Sequence, residues 1–225
     1  MPSVDLGLGL ELTHVGSPYY WSTFPGVRHW SAELLVADDA VSDSPRIVIG
    51  TADFVCVDTI ECDDFFVDID SFSADLGQMA DVVRRKVLES EELIVGDNIR
   101  VLFVVDVALD PHWRGRGLGP AVVKMVARAL GLVDVLALIP AALRTVRGDD
   151  GIWRSTYDRP RPGSAAQTKV RKAWKAAGFV PGGRSVYLLR LDDGSLRQEA
   201  AAARQLLQRL RFTKADRDWW KRLTG

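Results

Sequence analysis

The chain has 225 residues, of which 47% are hydrophobic, and its formal net charge is -1. This length fits one domain, or one domain with extensions, and the apolar content is sufficient for a sizeable core. A charge near zero argues against electrostatic capture of nucleic acid, so no nucleic-acid partner is expected. The sequence contains no apolar run long enough to cross a bilayer, so no membrane partner is expected either.

The N-terminus has no basic region followed by a sustained apolar run, so we expect no signal peptide and a cytoplasmic location. The two cysteines, Cys56 and Cys62, lack both a Cys-x-x-Cys spacing and a histidine partner. We therefore expect no metal site, and reduced thiols of the kind usual in a cytoplasmic protein.

The first 60 residues predict an extension followed by a hairpin. Residues 1–28 are rich in glycine, proline and aromatic residues, and we interpret them as an N-terminal extension containing a short strand at residues 6–12. Residues 29–37 and 46–59 alternate like strands, and the segment between them is rich in turn-forming residues. An antiparallel hairpin is expected here.

An acidic and aromatic segment, residues 61–70, precedes a predicted helix that Ser71 or Ser73 is positioned to cap. Its apolar stripe consists of Phe72, Leu76, Met79, Ala80, Val83 and Val87. Two interpretations stay open for the carboxylates of this segment, among them Asp64, Asp68 and Asp70. They either bind the substrate, by attracting a cationic amine to an acceptor site, or belong to a solvated, helix-capping cluster of charges.

The most informative stretch of the sequence runs from residue 101 to residue 130. Residues 101–109 are β-branched and almost wholly apolar, which predicts a buried strand. From Leu118 the apolar residues recur at helical spacing, and Pro120 fits only a first helical turn. The intervening glycine-rich turn directs unpaired N–H groups and the positive end of the helix dipole to one place, which suits a phosphate. Two arginines in this turn favour a bound anion over a turn without a ligand.

The pattern Leu109-x-Pro111-x-x-Arg114-Gly115-x-Gly117-x-Gly119 resembles the acyl-CoA-binding motif of the GNAT (Gcn5-related) N-acetyltransferases. The resemblance implies one α/β domain over residues 29–193, with a mixed, mostly antiparallel central sheet flanked by helices. It also implies acetyl-CoA as co-substrate, with its pyrophosphate in the turn and its pantetheine arm and acetyl carbonyl beside the preceding strand. The donor-binding residues implied in this way are Val107, Ala108, Leu109, Arg114, Gly115, Arg116, Gly117, Leu118 and Gly119.

Two further observations bear on this resemblance. The string from Asp68 to Leu76 is similar to one in actinobacterial GNAT-like proteins of unknown substrate. A dinucleotide-binding turn is the alternative use of the glycines, but Gly115, Gly117 and Gly119 lack the Gly-x-Gly-x-x-Gly spacing.

The third quarter of the chain contains a second signature. We predict a strand at residues 132–139, an irregular loop at 141–163 and a helix at 164–177, followed by two strands that form a hairpin from Phe179 to Leu191. The pattern Gln167-x-x-Val170-x-x-x-Trp174-x-x-x-Gly178-Phe179 is similar to the second GNAT signature, commonly Asn-x-x-Ala-x-x-x-Tyr-x-x-x-Gly-Phe. By this resemblance Gln167 and Trp174 also border the donor. Trp174 stands where a tyrosine often protonates the departing thiolate, which an indole cannot do.

Acyl transfer to an amine requires an oxyanion site, a base and an acid. Backbone N–H groups near residues 107–109 supply the first. Asp106 is the only carboxylate inside the central strand and is our preferred base. Tyr157 in the loop and Tyr187 on the last strand are the available phenols for the acid.

Residues 194–225 are interpreted as a C-terminal helical extension, because their apolar residues recur at helical spacing over a basic outer face. This extension packs on its own domain or on a second copy of the chain, which would then form a homodimer. The function expected from the whole sequence is acetyl-CoA-dependent N-acetyltransfer to an unidentified amine. The alternatives are a catalytically silent acyl-CoA sensor or scaffold and, third, a nucleotide-dependent oxidoreductase.

Overall fold

The computed structural model describes residues 6–15, 24, 26–39, 43–62, 64–89, 98–131, 133–141, 145–156, 163–191, 193–210 and 212–224. The strands in these ranges are β1 (Leu6–His14), β2 (Val27–Asp38), β3 (Ile47–Asp58), β4 (Arg100–Leu109), β5 (Val135–Leu138), β6 (Thr145–Arg147), β7 (Trp153–Ser155), β8 (Val180–Gly183) and β9 (Val186–Arg190). The helices are α1 (Phe65–Asp70), α2 (Ala74–Val83), α3 (Leu118–Leu130), α4 (Ala165–Ala176), α5 (Asp193–Arg209) and α6 (Lys214–Thr224). A π-helical segment, Arg84–Leu88, continues α2.

Seven strands form one sheet in the order β1-β2-β3-β4-β5-β9-β8. Every neighbouring pair is antiparallel except β4 and β5, which are parallel. The predicted mixed, mostly antiparallel sheet flanked by helices is therefore confirmed. The strand predicted at residues 6–12 is also confirmed, as β1, and it pairs along its whole length with β2.

The sheet separates two apolar clusters, and β4 contributes to both. Leu102 and Val104 pack in the cluster that contains α3, whereas Val101 and Phe103 pack in the one that contains α2. This alternation follows from the pleat, which directs successive side chains to opposite faces. Because β4 is apolar on both faces over this half, it is buried at the centre of the molecule.

Two predictions about local structure need correction. Residues 61–70 contain a separate helix, α1, which Asp64 caps by accepting hydrogen bonds from the N–H groups of Phe66 and Val67 at 3.1 Å. The irregular loop predicted at residues 141–163 is wrong in its described part, because β6 and β7 pair as a hairpin. Its tight turn is closed by hydrogen bonds from Gly148 N to Ile152 O and from Gly151 N to Gly148 O, both 2.9 Å.

The C-terminal helices pack on the domain that precedes them. α5 lies along α3, where Glu199 pairs with Lys124 and where Ala203 and Leu207 are buried. Trp219 and Trp220 of α6 are buried in the cluster around α3. No helix in the described part of the chain is long and apolar enough to span a bilayer.

Candidate active site

The two central strands separate halfway along β4. Residues 101–104 of β4 pair with residues 135–138 of β5, and β5 ends there, whereas β4 continues to Leu109. Just beyond the last pair the register with β3 shifts, since Asp53 is opposite Asp106 and Phe54 is opposite Val104. Val105 is thus the extra residue of a β-bulge, which bends the strand. In the described ranges, residues 106–109 therefore have no partner on β5, while β7 contacts this part of β4 through Ser155.

The glycine-rich turn follows the part of β4 that does not pair with β5. Gly115 and Gly117 have φ values of 77° and 78°, in the left-handed region that favours glycine. α3 begins at Leu118, and no described side chain caps its N-terminus. The N–H groups of its first turn are therefore available to an anion.

The two arginines of the turn already have protein partners. Arg114 donates from Nε to the Leu109 carbonyl at 3.0 Å, and its guanidinium also donates to the Thr145 hydroxyl on β6. Arg116 donates from both Nη atoms to the buried carboxylate of Asp216, at 3.1 and 2.7 Å. A bound anion is therefore not needed to explain Arg116, contrary to the expectation from sequence. The part that either arginine plays in donor binding stays a prediction.

The two candidate residues of the second signature lie in different surroundings, Gln167 beside the end of β5 and Trp174 in the core. The Gln167 side-chain amide donates to the carbonyl of Pro140, which anchors the start of α4, and the Gln167 N–H donates to the Ser164 hydroxyl at 3.2 Å. Trp174 is buried and packs edge-to-face on Phe179, with ring centroids 5.1 Å apart. Trp174 is thus part of the hydrophobic core.

Asp106 is half-buried on the face of β4 opposite α3. It accepts a hydrogen bond of 2.7 Å from the Ser155 hydroxyl of β7. Burial, aided by the nearby charge of Asp53, raises the pKa of Asp106 above its ordinary value, although the Ser155 hydrogen bond opposes this shift. A carboxyl with a raised pKa is a stronger base once it has lost its proton.

Sequence reasoning missed Asp53 and Ser155, which lie next to Asp106, and the placement of His29 beside Asp53. Asp53 is the cross-strand partner of Asp106 on β3, and His29 Nε2 lies 4.0 Å from Asp53 Oδ1. Burial lowers the pKa of His29, which favours its neutral form near pH 7. Ser155 was hidden in the segment predicted as a loop. The available signal for the hairpin was the turn-forming run from Gly148 to Gly151, which lies between the short apolar segments at Val146 and at residues 152–153.

The remaining predicted residues are spread more widely. Tyr187 is buried on β9, where it pairs with Leu138 at the level at which β4 and β5 part. Tyr157 lies outside the described residues.

Asp68 is buried in α1, and Asp70 is exposed but lies against Gly77 of α2. The helix-capping interpretation of the acidic segment is confirmed for Asp64, and the substrate-binding interpretation of Asp68 and Asp70 stays a prediction.

Comparisons with known proteins give structural likeness only. No protein-family model matches the chain, and no curated protein sequence matches it. Among solved structures, the chain is similar to a mutant AtaT toxin bound to the C-terminus of the antitoxin AtaR and acetyl-CoA. That match has 11% identity and a TM-score of 0.34, and it covers 90% of this chain and 99% of the other.

Two further solved structures are similar at the same level. A KacTA–DNA complex matches with 12% identity and a TM-score of 0.35, covering 89% of this chain and 98% of the other. The apo form of a mutant agmatine N-acetyltransferase matches with 10% identity and a TM-score of 0.38, covering 82% and 100%. Nothing in these matches supports the narrower resemblance to actinobacterial proteins. Likeness this weak assigns no activity, substrate or partner to this chain.

Proposed function

We propose that this chain is an acetyl-CoA-dependent N-acetyltransferase that acts on a primary amine by direct transfer in a ternary complex. One observation supports the proposal above the others. The central strand parts from β5 after residue 104 and leads straight into a glycine-rich turn at an uncapped helix N-terminus. An unpaired strand edge that leads to an anion-binding turn suits a long thioester such as acetyl-CoA, which carries a diphosphate far from its thioester group.

The free edge of β4 supplies the donor side of the reaction. The other edge pairs with β3 in antiparallel register, so alternate residues direct their N–H and C=O groups away from β3, toward the side that β5 leaves unpaired. Residues 107–109 would contact the pantetheine arm there. An N–H from the same edge would stabilise the oxyanion that forms at the acetyl carbonyl.

Asp106 supplies the acceptor side. A protonated amine has no lone pair, so it must lose a proton before attack, and Asp106 accepts it directly or through water. The neutral nitrogen then forms a bond to the carbonyl carbon and becomes positively charged in the tetrahedral intermediate. As the C–S bond breaks, this nitrogen loses its second proton to the surrounding water, and the departing CoA thiolate takes up a proton. Tyr187 is the one tyrosine in the described ranges and lies at the level at which the strands part, and we propose it, with Tyr157, as the source of that proton.

A silent acyl-CoA-binding module is the second candidate, and one observation favours it. Trp174 occupies the position at which the resemblance implies an acid, and it is packed in the core. The two candidates differ in turnover. Release of CoA thiol from acetyl-CoA, measured against a panel of primary amines, diamines and peptide N-termini, supports the enzyme if any amine accelerates it. Tight acetyl-CoA binding with no acceleration by any amine supports the module.

A further inference from the structure

The buried carboxylate of Asp216 joins the C-terminal extension to the glycine-rich turn. Its side chain is fully buried, yet both oxygens have several donors. Oδ1 accepts from Arg116 at 2.7 Å and contacts His112 Nε2 at 2.6 Å, while Oδ2 accepts from Arg116 at 3.1 Å. Oδ2 also accepts from the N–H and the hydroxyl of Thr213, at 2.7 and 2.9 Å. Burial opposes the charge, but these hydrogen bonds hold the pKa of Asp216 well below its usual range.

The residues that Asp216 holds flank Trp113, on the segment that enters the turn. The Arg116 guanidinium lies 4.6 Å from the centroid of the Trp113 ring, a cation–π distance. His112 stacks on Trp219 of α6, with centroids 5.6 Å apart and planes 6° from parallel. α6 therefore contacts the segment from His112 to Arg116 in two ways, through the charge of Asp216 and through aromatic packing of Trp219.

α5 borders the same turn from its other side. A Cβ built on Gly117 would lie 3.2 Å from Cδ2 of Leu206, so the backbone of the turn is in contact with α5. Two turns further along α3, Lys124 pairs with Glu199 of α5. The Lys124–Glu199 pair fixes α5 to α3 without contacting the turn, which makes it a matched control for Asp216.

We propose that Asp216 is a positioning residue for donor binding, which holds the glycine-rich turn in its anion-binding conformation through Arg116 and His112. This inference rests on the proposed function. Glycine has a wide conformational freedom, so fixing Gly115 and Gly117 has an entropic cost, and a turn that becomes ordered only on binding loses affinity through that ordering. The extension removes this cost by fixing the residues on both sides of Gly115 before the donor arrives.

The test compares the full-length chain with Asp216→Asn and Glu199→Gln. Isothermal titration with acetyl-CoA is done at a temperature at which circular dichroism shows that all three proteins are folded. Asp216→Asn is expected to bind about tenfold more weakly, because the cost of ordering a short turn is then added to binding. Glu199→Gln is expected to bind as the wild type does. In turnover assays the KM for acetyl-CoA rises in Asp216→Asn while kcat is retained, because the chemistry is untouched. Amide hydrogen exchange of residues 115–119 is expected to accelerate in Asp216→Asn alone.

Each outcome separates this inference from the function on which it rests. A wild-type chain that does not bind acetyl-CoA overturns both. A wild-type chain that binds, with Asp216→Asn binding as tightly or more tightly, overturns the positioning role alone. Should Asp216→Asn fail to fold, Thr213→Val removes one donor to the same carboxylate and is expected to weaken binding in the same direction by a smaller factor. Unchanged binding in Thr213→Val together with unchanged exchange at residues 115–119 would overturn the inference.

Discussion

Asp106 of β4 lies directly opposite Asp53 of β3, one residue beyond the bulge at Val105. Without that bulge, Asp106 would share the face of Leu102 and Val104, which pack toward α3. The extra residue turns Asp106 to the other face, beside Asp53 and under Ser155. Two carboxyl groups facing each other across a strand pair raise the energy of the doubly charged state, which favours retention of a proton by one of them.

We expect Asp106→Asn to lower turnover by about 10²–10⁴-fold, the usual contribution of a general base. Acetyl-CoA affinity should stay unchanged, since the asparagine retains the shape of the side chain and an acceptor for Ser155. Steady-state kinetics together with calorimetry measure the two effects. Full turnover in this variant would assign the base to another residue.

The same substitution should not reduce stability at pH 7. The pKa of Asp106 is raised in the folded chain, so its contribution to stability is present below the unfolded pKa and is lost as the pH rises through the folded pKa. The neutral asparagine avoids this loss. Urea denaturation at pH 7 should give an unfolding free energy equal to or above that of the wild type, and a clear loss of stability would contradict the raised pKa.

Asp53→Asn should move the pH dependence of kcat/KM. Removing the charge of Asp53 lowers the pKa of Asp106, so the rising acidic limb of the profile shifts to lower pH. Among the residues that the structure describes, His29 and Arg154 also interact electrostatically with Asp53. The control is Glu11→Gln, which alters an exposed carboxylate on β1 that is paired with Arg46. It should leave the acidic limb at the pH of the wild type. If the acidic limb of Asp53→Asn lies at the same pH as that of the wild type, Asp53 does not act on the base.

Arg116→Ala should destabilise the chain much more than Arg114→Ala. Removing Arg116 leaves the fully buried carboxylate of Asp216 without its strongest counterion, which costs about 3–5 kcal/mol. Arg114 is exposed, and loss of its hydrogen bonds costs about 1 kcal/mol. Chemical denaturation of the two single variants checks the difference. Equal effects would mean that the Arg116–Asp216 pair contributes little.

The fold could be predicted from sequence wherever the signal was local. β4, the glycine-rich turn and α3 are contiguous, so hydrophobic period and turn composition were sufficient to find them. The bulge at Val105 was not predictable, because it exists only in the register between β3 and β4. The Arg116–Asp216 pair joins residues 100 positions apart. Only the helix-start spacing of Thr213 and Asp216 hinted that a second C-terminal helix begins there.

The central claim is that the turn at residues 115–119 binds the phosphate end of a CoA thioester. Calorimetry with acetyl-CoA on the wild type, Gly117→Glu and Gly131→Glu tests it most directly. Gly117 has φ 78° and ψ 8°, in the left-handed helical region, whereas Gly131, at the opposite end of α3, has φ 65° and ψ 163°, in a region that is almost exclusive to glycine. Gly131→Glu therefore introduces the same charge with at least as much backbone strain, but away from the turn. We predict that the wild type and Gly131→Glu bind acetyl-CoA, whereas Gly117→Glu, folded by circular dichroism, does not. Equal affinity in all three, or no binding by the wild type, would contradict the account.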